Sequence, residues 1–87
     1  MIEREVVIKN RSGLHTRPAA ALVKTAAKFK AEFYILKDGM EINGKSIIGV
    51  MTLAAEQGAK LLLQFVGEDE QEAAEAVVGL FERGFDE

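Results

Sequence analysis

Residues 2–9 alternate, with Ile2, Arg4, Val6 and Ile8 on one side and Glu3, Glu5, Val7 and Lys9 on the other. A period of two predicts a strand with one face towards a core. Asn10-Arg11-Ser12-Gly13 breaks the pattern with turn residues. From Thr16 to about Lys28 the period lengthens, and Ala19, Leu22, Val23 and Ala26 fall on one helical stripe. Pro18 lies in the first turn, where a helix tolerates proline. Phe33-Tyr34-Ile35-Leu36 predicts a second strand, Asp38-Gly39 a two-residue hairpin turn, and Met40-Glu41-Ile42 the returning third strand. Asn43-Gly44-Lys45 reads as a loop, and Ser46 as the N-cap of a short helix through Ile47, Ile48, Val50, Met51 and Leu53. After Gln57-Gly58, Leu61-Leu62-Leu63-Gln64-Phe65-Val66 predicts a fourth strand, whose apolar residues on both faces argue for a central position. Asp69, with Glu72 three residues on, resembles a capping box opening a last helix. Ala73, Val77, Leu80 and Ala74, Val78, Phe81 form its apolar stripe, and Gly84 marks its end.

The order strand–helix–strand–strand–helix–strand–helix, on a sheet with one apolar face, implies a two-layer α+β sandwich. Periodicity leaves the strand order open. Eighty-seven residues, 48% of them apolar, suffice for one modest core, and no repeat or linker divides them, so a single domain over residues 1–87 is expected. Cysteine is absent, which excludes disulfides and thiolate-bound metals. No apolar run approaches the ~18 residues of a membrane span. The start, MIEREVVIKN, is too acidic for a signal peptide, so a cytoplasmic protein that engages no membrane is expected. Fourteen carboxylates against eleven Lys and Arg give a net charge of −3, which argues against a surface built for nucleic acid.

Candidate chemistry centres on the one histidine, His15, placed where a loop runs into the first helix. A helix start offers unbonded backbone N–H groups and the positive end of the helix dipole, a natural anion site. Arg17 adds a guanidinium suited to phosphate oxygens, and Gly13 lets the backbone bend just before. A neutral imidazole here can act as a nitrogen nucleophile towards a phosphoryl group while the amides and Arg17 hold its oxygens. From these residues alone, a solvent-exposed histidine without chemistry remains the plainer reading. Serine, cysteine or metal catalysis finds no second histidine, no cysteine and no paired carboxylates at recognisable spacing.

Gly13-Leu14-His15-Thr16-Arg17-Pro18-Ala19 resembles the active-site signature of the HPr family, the histidine-containing phosphocarriers of the bacterial phosphoenolpyruvate-dependent sugar phosphotransferase system. Lys45-Ser46-Ile47-Ile48-Gly49-Val50-Met51 resembles that family's regulatory-serine segment. Both stand at the family's spacing, and length and element order agree over essentially the whole chain. The resemblance implies an open-faced sandwich of four antiparallel strands with three helices on one face, the fourth strand lying between the first and second. It implies that His15 carries a phosphoryl group on Nδ1, received from enzyme I and donated to the IIA domains of sugar permeases. Arg17 maps onto the active-site arginine, and Thr16 and Ser12 are expected to help stabilise the phosphate. The chain would then be a carrier rather than an enzyme, monomeric, and without cofactor or metal. Ser46 maps onto the serine modified by an HPr kinase/phosphorylase, which brings a transcriptional regulator into view as a further partner. Some enteric members have basic residues at the positions of Ala27 and Gly49; here Arg11, Lys24, Lys28 and Lys45 are the candidates for a positive rim. The tail Glu82–Glu87 carries no family signal.

Each assignment has a plainer rival. Arg17 could be a solvated arginine, although a cation at a helix start opposes the dipole. Ser46 could be an N-cap and nothing more. Ile47 and Ile48 are consecutive, so both cannot point into the core; with Met51, one should form an exposed patch for docking, joined by Ala20 and Lys24. Core packing of all three is the alternative. The Asp69–Glu72 cluster reads as helix capping only. Two other function classes compete: a regulatory binding module acting through Ser46, whose family members lack the active-site histidine, and an RNA-binding sandwich, which would need stacked aromatics amid basic residues. A nitrogen-regulatory branch of the phosphotransferase system would use a nearly identical carrier.

Overall fold

The computed structural model describes all 87 residues. Elements follow in the order β1 (Ile2–Val7), α1 (Thr16–Ala26), β2 (Glu32–Lys37), β3 (Met40–Asn43), α2 (Ile47–Thr52), β4 (Lys60–Val66) and α3 (Glu70–Glu82), with a 3-10 turn at Gly84–Asp86. The sheet is wholly antiparallel, in the order β1-β4-β2-β3. The α+β open-faced sandwich expected above is therefore the fold, with β4 bonded on both edges. Asp38 and Gly39 both take left-handed conformations (φ 50° and 82°), as the tight β2–β3 hairpin requires.

The central place of β4 holds, but its two faces differ. Leu61, Leu63 and Phe65 are buried, whereas Leu62 and Gln64 are half-buried and Val66 is exposed. The outer face opens to solvent, and half-buried Leu62 lies there between its cross-strand partners Leu36 and Glu5. On the inner face Phe33 and Phe65, paired across β2 and β4, stack with centroids 4.8 Å apart. Against them lie Ala19, Leu22 and Ala26 of α1, Val50 of α2, and Ala73, Ala74, Val77, Leu80 and Phe81 of α3. Val23 is only partly buried, at the edge of its stripe.

The start of α3 departs from expectation. Asp69 precedes the helix but makes no side-chain cap; its carboxylate accepts from the Lys30 and Ala31 amides, both at 2.8 Å. It ties the loop before β2 to α3, and those amides hold its carboxyl below the usual carboxylate range. The reach-back to the chain before the helix comes from Glu70, which accepts from the Gly67 amide at 3.0 Å, and Glu72 has no part in it. No helix of the protein is long and apolar enough to cross a membrane.

Candidate functional site

The loop from β1 to α1 is built to hold His15 out. Asn10 is only 5% exposed, and its Nδ2 donates to the Gly13 carbonyl at 2.8 Å, closing the turn. Gly13 has φ 67°, and a Cβ there would come within 2.4 Å of the Ala55 carbonyl oxygen, so only glycine fits. Leu14 is buried, and its amide donates to that same carbonyl at 3.0 Å. One anchored residue thus fixes the position of its exposed neighbour, His15.

His15 is the N-cap residue of α1, in extended backbone conformation, and no side chain caps the helix. Its carbonyl accepts from the Ala19 amide at 2.8 Å. The amides of Thr16 and Arg17 have no partner within the protein, and Pro18 has no N–H to offer. Two unengaged donors therefore flank the exposed imidazole at the positive end of an 11-residue helix. Thr16 and Arg17 are exposed beside it, and Arg17 shares its face of α1 with exposed Ala20 and Lys24.

A shallow cavity of about 360 Å³ adjoins His15, lined by Leu14, Met51, Ala54, Ala55 and Glu56. It joins the histidine to the outer side of α2. There Ile47, Ile48 and Met51 are 37%, 76% and 44% exposed, so the patch contains all three rather than one, and their packing into the core is ruled out. Val50 is the residue by which α2 enters the core. Ser46 caps α2, its Oγ accepting from the Gly49 amide at 3.1 Å.

Two expectations change. Lys45 does not belong to a free positive rim: its Nζ donates to the Phe29 carbonyl at 2.7 Å, just past the end of α1. Arg11, Lys24 and Lys28 remain exposed. Ser12 is exposed on the loop, but its hydroxyl is engaged, donating to Glu87 Oε1 at 2.5 Å, and Asn10 Nδ2 donates to the same oxygen at 3.0 Å. The tail with no family signal thus reaches the candidate site. Ser12 and Asn10 hold the Glu87 carboxyl below the usual carboxylate range, against a small opposing effect of burial and with help from Arg17 and His15. The one hint in the sequence was Phe85, an aromatic residue past a helix stop, which packs edge-on against Phe81 at 4.9 Å.

A lone exposed histidine at an uncapped helix start, on a small antiparallel open-faced sandwich, is the arrangement of a domain that can hold an anion beside a nucleophilic nitrogen. The chain belongs to the HPr family of the phosphotransferase system: the family model described as "PTS HPr component phosphorylation site" matches residues 2–83. It is 45% identical over 87 residues to the phosphocarrier protein HPr of Xylella fastidiosa, covering all of this chain and 98% of that one. It is 45% identical over 83 residues to the HPr-like protein Crh of Halalkalibacterium halodurans, covering 95% and 99%. Its fold superimposes on HPr from Thermoanaerobacter tengcongensis with a TM-score of 0.97 at 46% identity, covering 100% and 98% of the two chains. A second structure of HPr from that organism is a dimer.

Proposed function

We propose that this chain, as a single domain over residues 1–87, carries a phosphoryl group on Nδ1 of His15, taking it from enzyme I and passing it to IIA domains of sugar permeases. The supporting observation is the pair of unengaged amides, Thr16 and Arg17, beside an exposed imidazole at an uncapped helix start. In transfer, the Nδ1 lone pair forms the N–P bond as the donor's bond to phosphorus breaks and its electron pair leaves with the donor. The ring keeps its proton on Nε2. The two amides and the Arg17 guanidinium meet the phosphoryl oxygens, with the Thr16 hydroxyl nearby, and cost no reorganisation at that moment. The resulting N–P linkage is labile enough to be passed on, so the chain acts as a covalent intermediate rather than a catalyst. It requires no cofactor or metal, and its place is the cytoplasm.

Partners dock on the apolar patch Ile47–Ile48–Met51 together with Ala20, Lys24 and Arg17, each partner in turn meeting a monomer. Ser46 is the regulatory phosphosite of a kinase/phosphorylase. A phosphate there adds ~1.5–2 negative charges beside that patch, so enzyme I must desolvate it to dock, whereas a regulator with a basic pocket gains a contact. A second reading, a binding protein acting through phospho-Ser46, draws on the equally similar Crh relative; His15 favours the carrier.

The test is incubation with phosphoenolpyruvate and enzyme I, followed by intact mass. One acid-labile, base-stable phosphoryl group per chain is expected, and none in His15→Ala. Phosphate on His15→Ala, or an acid-stable adduct on the native chain, would refute the proposal.

A further inference from the structure

The helices pack on one side of the sheet, and the other side is left open. Alternation along the strands assigns its residues. Val6, Ile35, Leu63 and Phe65 are buried inward, so Glu5, Leu36, Leu62 and Gln64 face outward. The register sets Glu5 opposite Leu62, Leu62 opposite Leu36, and Leu36 opposite Glu41, one row across all four strands. Two half-buried leucines lie at its centre and an exposed carboxylate at each end. The next row, Glu3–Gln64–Tyr34–Asn43, repeats a carboxylate on β1, and Glu32 adds another on β2 beyond it. Glu3 and Glu32 accept hydrogen bonds from neutral groups, Gln64 Nε2 and the Tyr34 hydroxyl, both at 2.7 Å. The carboxylates of Glu5 and Glu41 have no partner in the protein, and Lys60 is the one cation facing this side. The bond to Glu32, a small desolvation and the charges of Glu32 and Glu41 push the Tyr34 phenol above its ordinary pKa. The face is thus negative at its centre as well as at its rim.

We infer that this open face is a second docking surface, and that its occupant is a basic amphipathic helix of a partner protein. Apolar side chains of that helix lie on Leu62, Leu36 and Tyr34, while its lysines or arginines reach Glu5 on one flank and Glu41 on the other. The dimensions fit: the two end residues stand three strand spacings apart, about 14 Å, and a helix with its side chains is about 10–12 Å across. Laid along the central strands, one helix covers this face as helices cover the other. Charge selects among occupants. Nucleic acid and anionic lipid surfaces are repelled by the carboxylates, and the same face of a second copy would set carboxylate against carboxylate. A partner strand would need a sheet edge rather than a face. The patch at Ile47, Ile48 and Met51 lies on the helix side with the cations Arg17 and Lys24, so the two surfaces suit partners of opposite charge. Because α1 packs on the inner side, a partner held on the open face leaves His15 accessible.

The probe is a peptide of leucine and lysine only, roughly 18 residues or five helical turns long, with leucines at stripe spacing. Its control has the same composition in an order that breaks the stripe. In NMR of the nitrogen-15-labelled chain, the striped peptide should shift the amides of Tyr34, Leu36, Leu62 and Gln64 and leave those of His15, Thr16, Arg17 and Ile48 in place. By fluorescence anisotropy it should bind about tenfold more tightly than the control, because only a stripe can bury its leucines on Leu62 and Leu36. Glu5→Lys and Glu41→Lys should each weaken binding by roughly three- to tenfold, the scale of an exposed charge interaction lost and reversed. Glu72→Lys, on α3 and away from this face, should leave it unchanged, and thermal melts confirm that the variants fold. Equal binding of the two peptides would reduce the effect to bulk charge and overturn the inference. So would shifts centred on Ile47, Ile48 and Met51, affinity indifferent to both sheet-face reversals, or no binding at all. Self-association of the chain alone that Glu5→Lys abolishes would assign the face to a second copy and equally overturn it. No phosphoryl group enters these measurements, so the carrier role stands or falls separately.

Discussion

The helices that begin at His15 and at Ser46 start in opposite ways. Both starting residues have extended backbone, but Ser46 Oγ takes the Gly49 amide, whereas His15 takes none. The bond at Ser46 runs to the third residue of the helix. The corresponding residue of α1 is Pro18, which has no N–H. Proline thus blocks the commonest capping bond and leaves only the Thr16 and Arg17 amides, both unengaged. Packing explains why α1 tolerates an open start. Its 11 residues bury Pro18, Ala19, Leu22 and Ala26, whereas the six of α2 bury Val50 alone. Tertiary burial rather than capping holds α1, so its donors stay available for an incoming anion. The shorter helix uses its own hydroxyl to stand. On the proposed function, the open helix start is the phosphoryl site and the closed one borders the docking surface.

The contrast is most sharply broken at Arg17. Arg17→Ala removes a charge-assisted contact worth ~1.5–3 kcal/mol, so the rate of His15 phosphorylation should fall roughly ten- to a hundredfold. Its melting temperature should not move, because Arg17 is exposed and makes no hydrogen bond within the protein. Stopped-time phosphorylation assays beside a thermal melt read both; an unaltered rate would mean that the amides alone suffice. Ser46→Asp comes next. It should lower that rate several-fold by charging the docking patch, while the melt holds steady because a carboxylate suits a helix start.

Exchanging the two kinds of start gives smaller effects. Ser46→Ala should cost about 1 kcal/mol in urea unfolding. His15→Ser can cap α1 only through the Arg17 amide, since Pro18 has none to give, and should stabilise by about 0.5 kcal/mol or less. A large gain in His15→Ser would show that the open start is a defect of stability rather than of proline geometry. Asp69 supplies the smallest effect and a third kind of start, its carboxylate turned away to the Lys30 and Ala31 amides. Its folded pKa lies below the unfolded one, so its stabilisation is present above the ordinary carboxylate pKa and fades as pH falls through the folded value. Asp69→Asn should flatten that acid limb of a stability–pH profile, leaving the neutral region offset but parallel.

Much of this organisation was legible from local pattern. The hairpin at Asp38-Gly39, the Ser46 cap and the stripe of α1 depend on residues within a few positions of one another, and each formed where the pattern placed it. The heptad around His15 pointed to the candidate site for the same reason. What could not be read depends on partners distant in sequence. The Asp69 carboxylate looked like a cap because its true donors lie 39 and 38 residues away. Ser12 looked free because Glu87 lies 75 residues away, and Lys45 because the Phe29 carbonyl comes within reach only after β2 and β3 have folded back. The exposure of both Ile47 and Ile48 was half legible: their adjacency forced one outward, but only the brevity of α2 sent out both.

The claim that an open helix start receives the phosphoryl group is tested most directly by NMR of the uniformly nitrogen-15-labelled chain before and after phosphorylation by enzyme I. Phosphorus coupling should appear on Nδ1 of His15, and the Thr16 and Arg17 amide protons should move downfield as they take up phosphoryl oxygens, while the Gly49 amide, already bonded to Ser46, stays in place. Phosphorus on any other atom, or Thr16 and Arg17 amides that do not respond, would contradict the account.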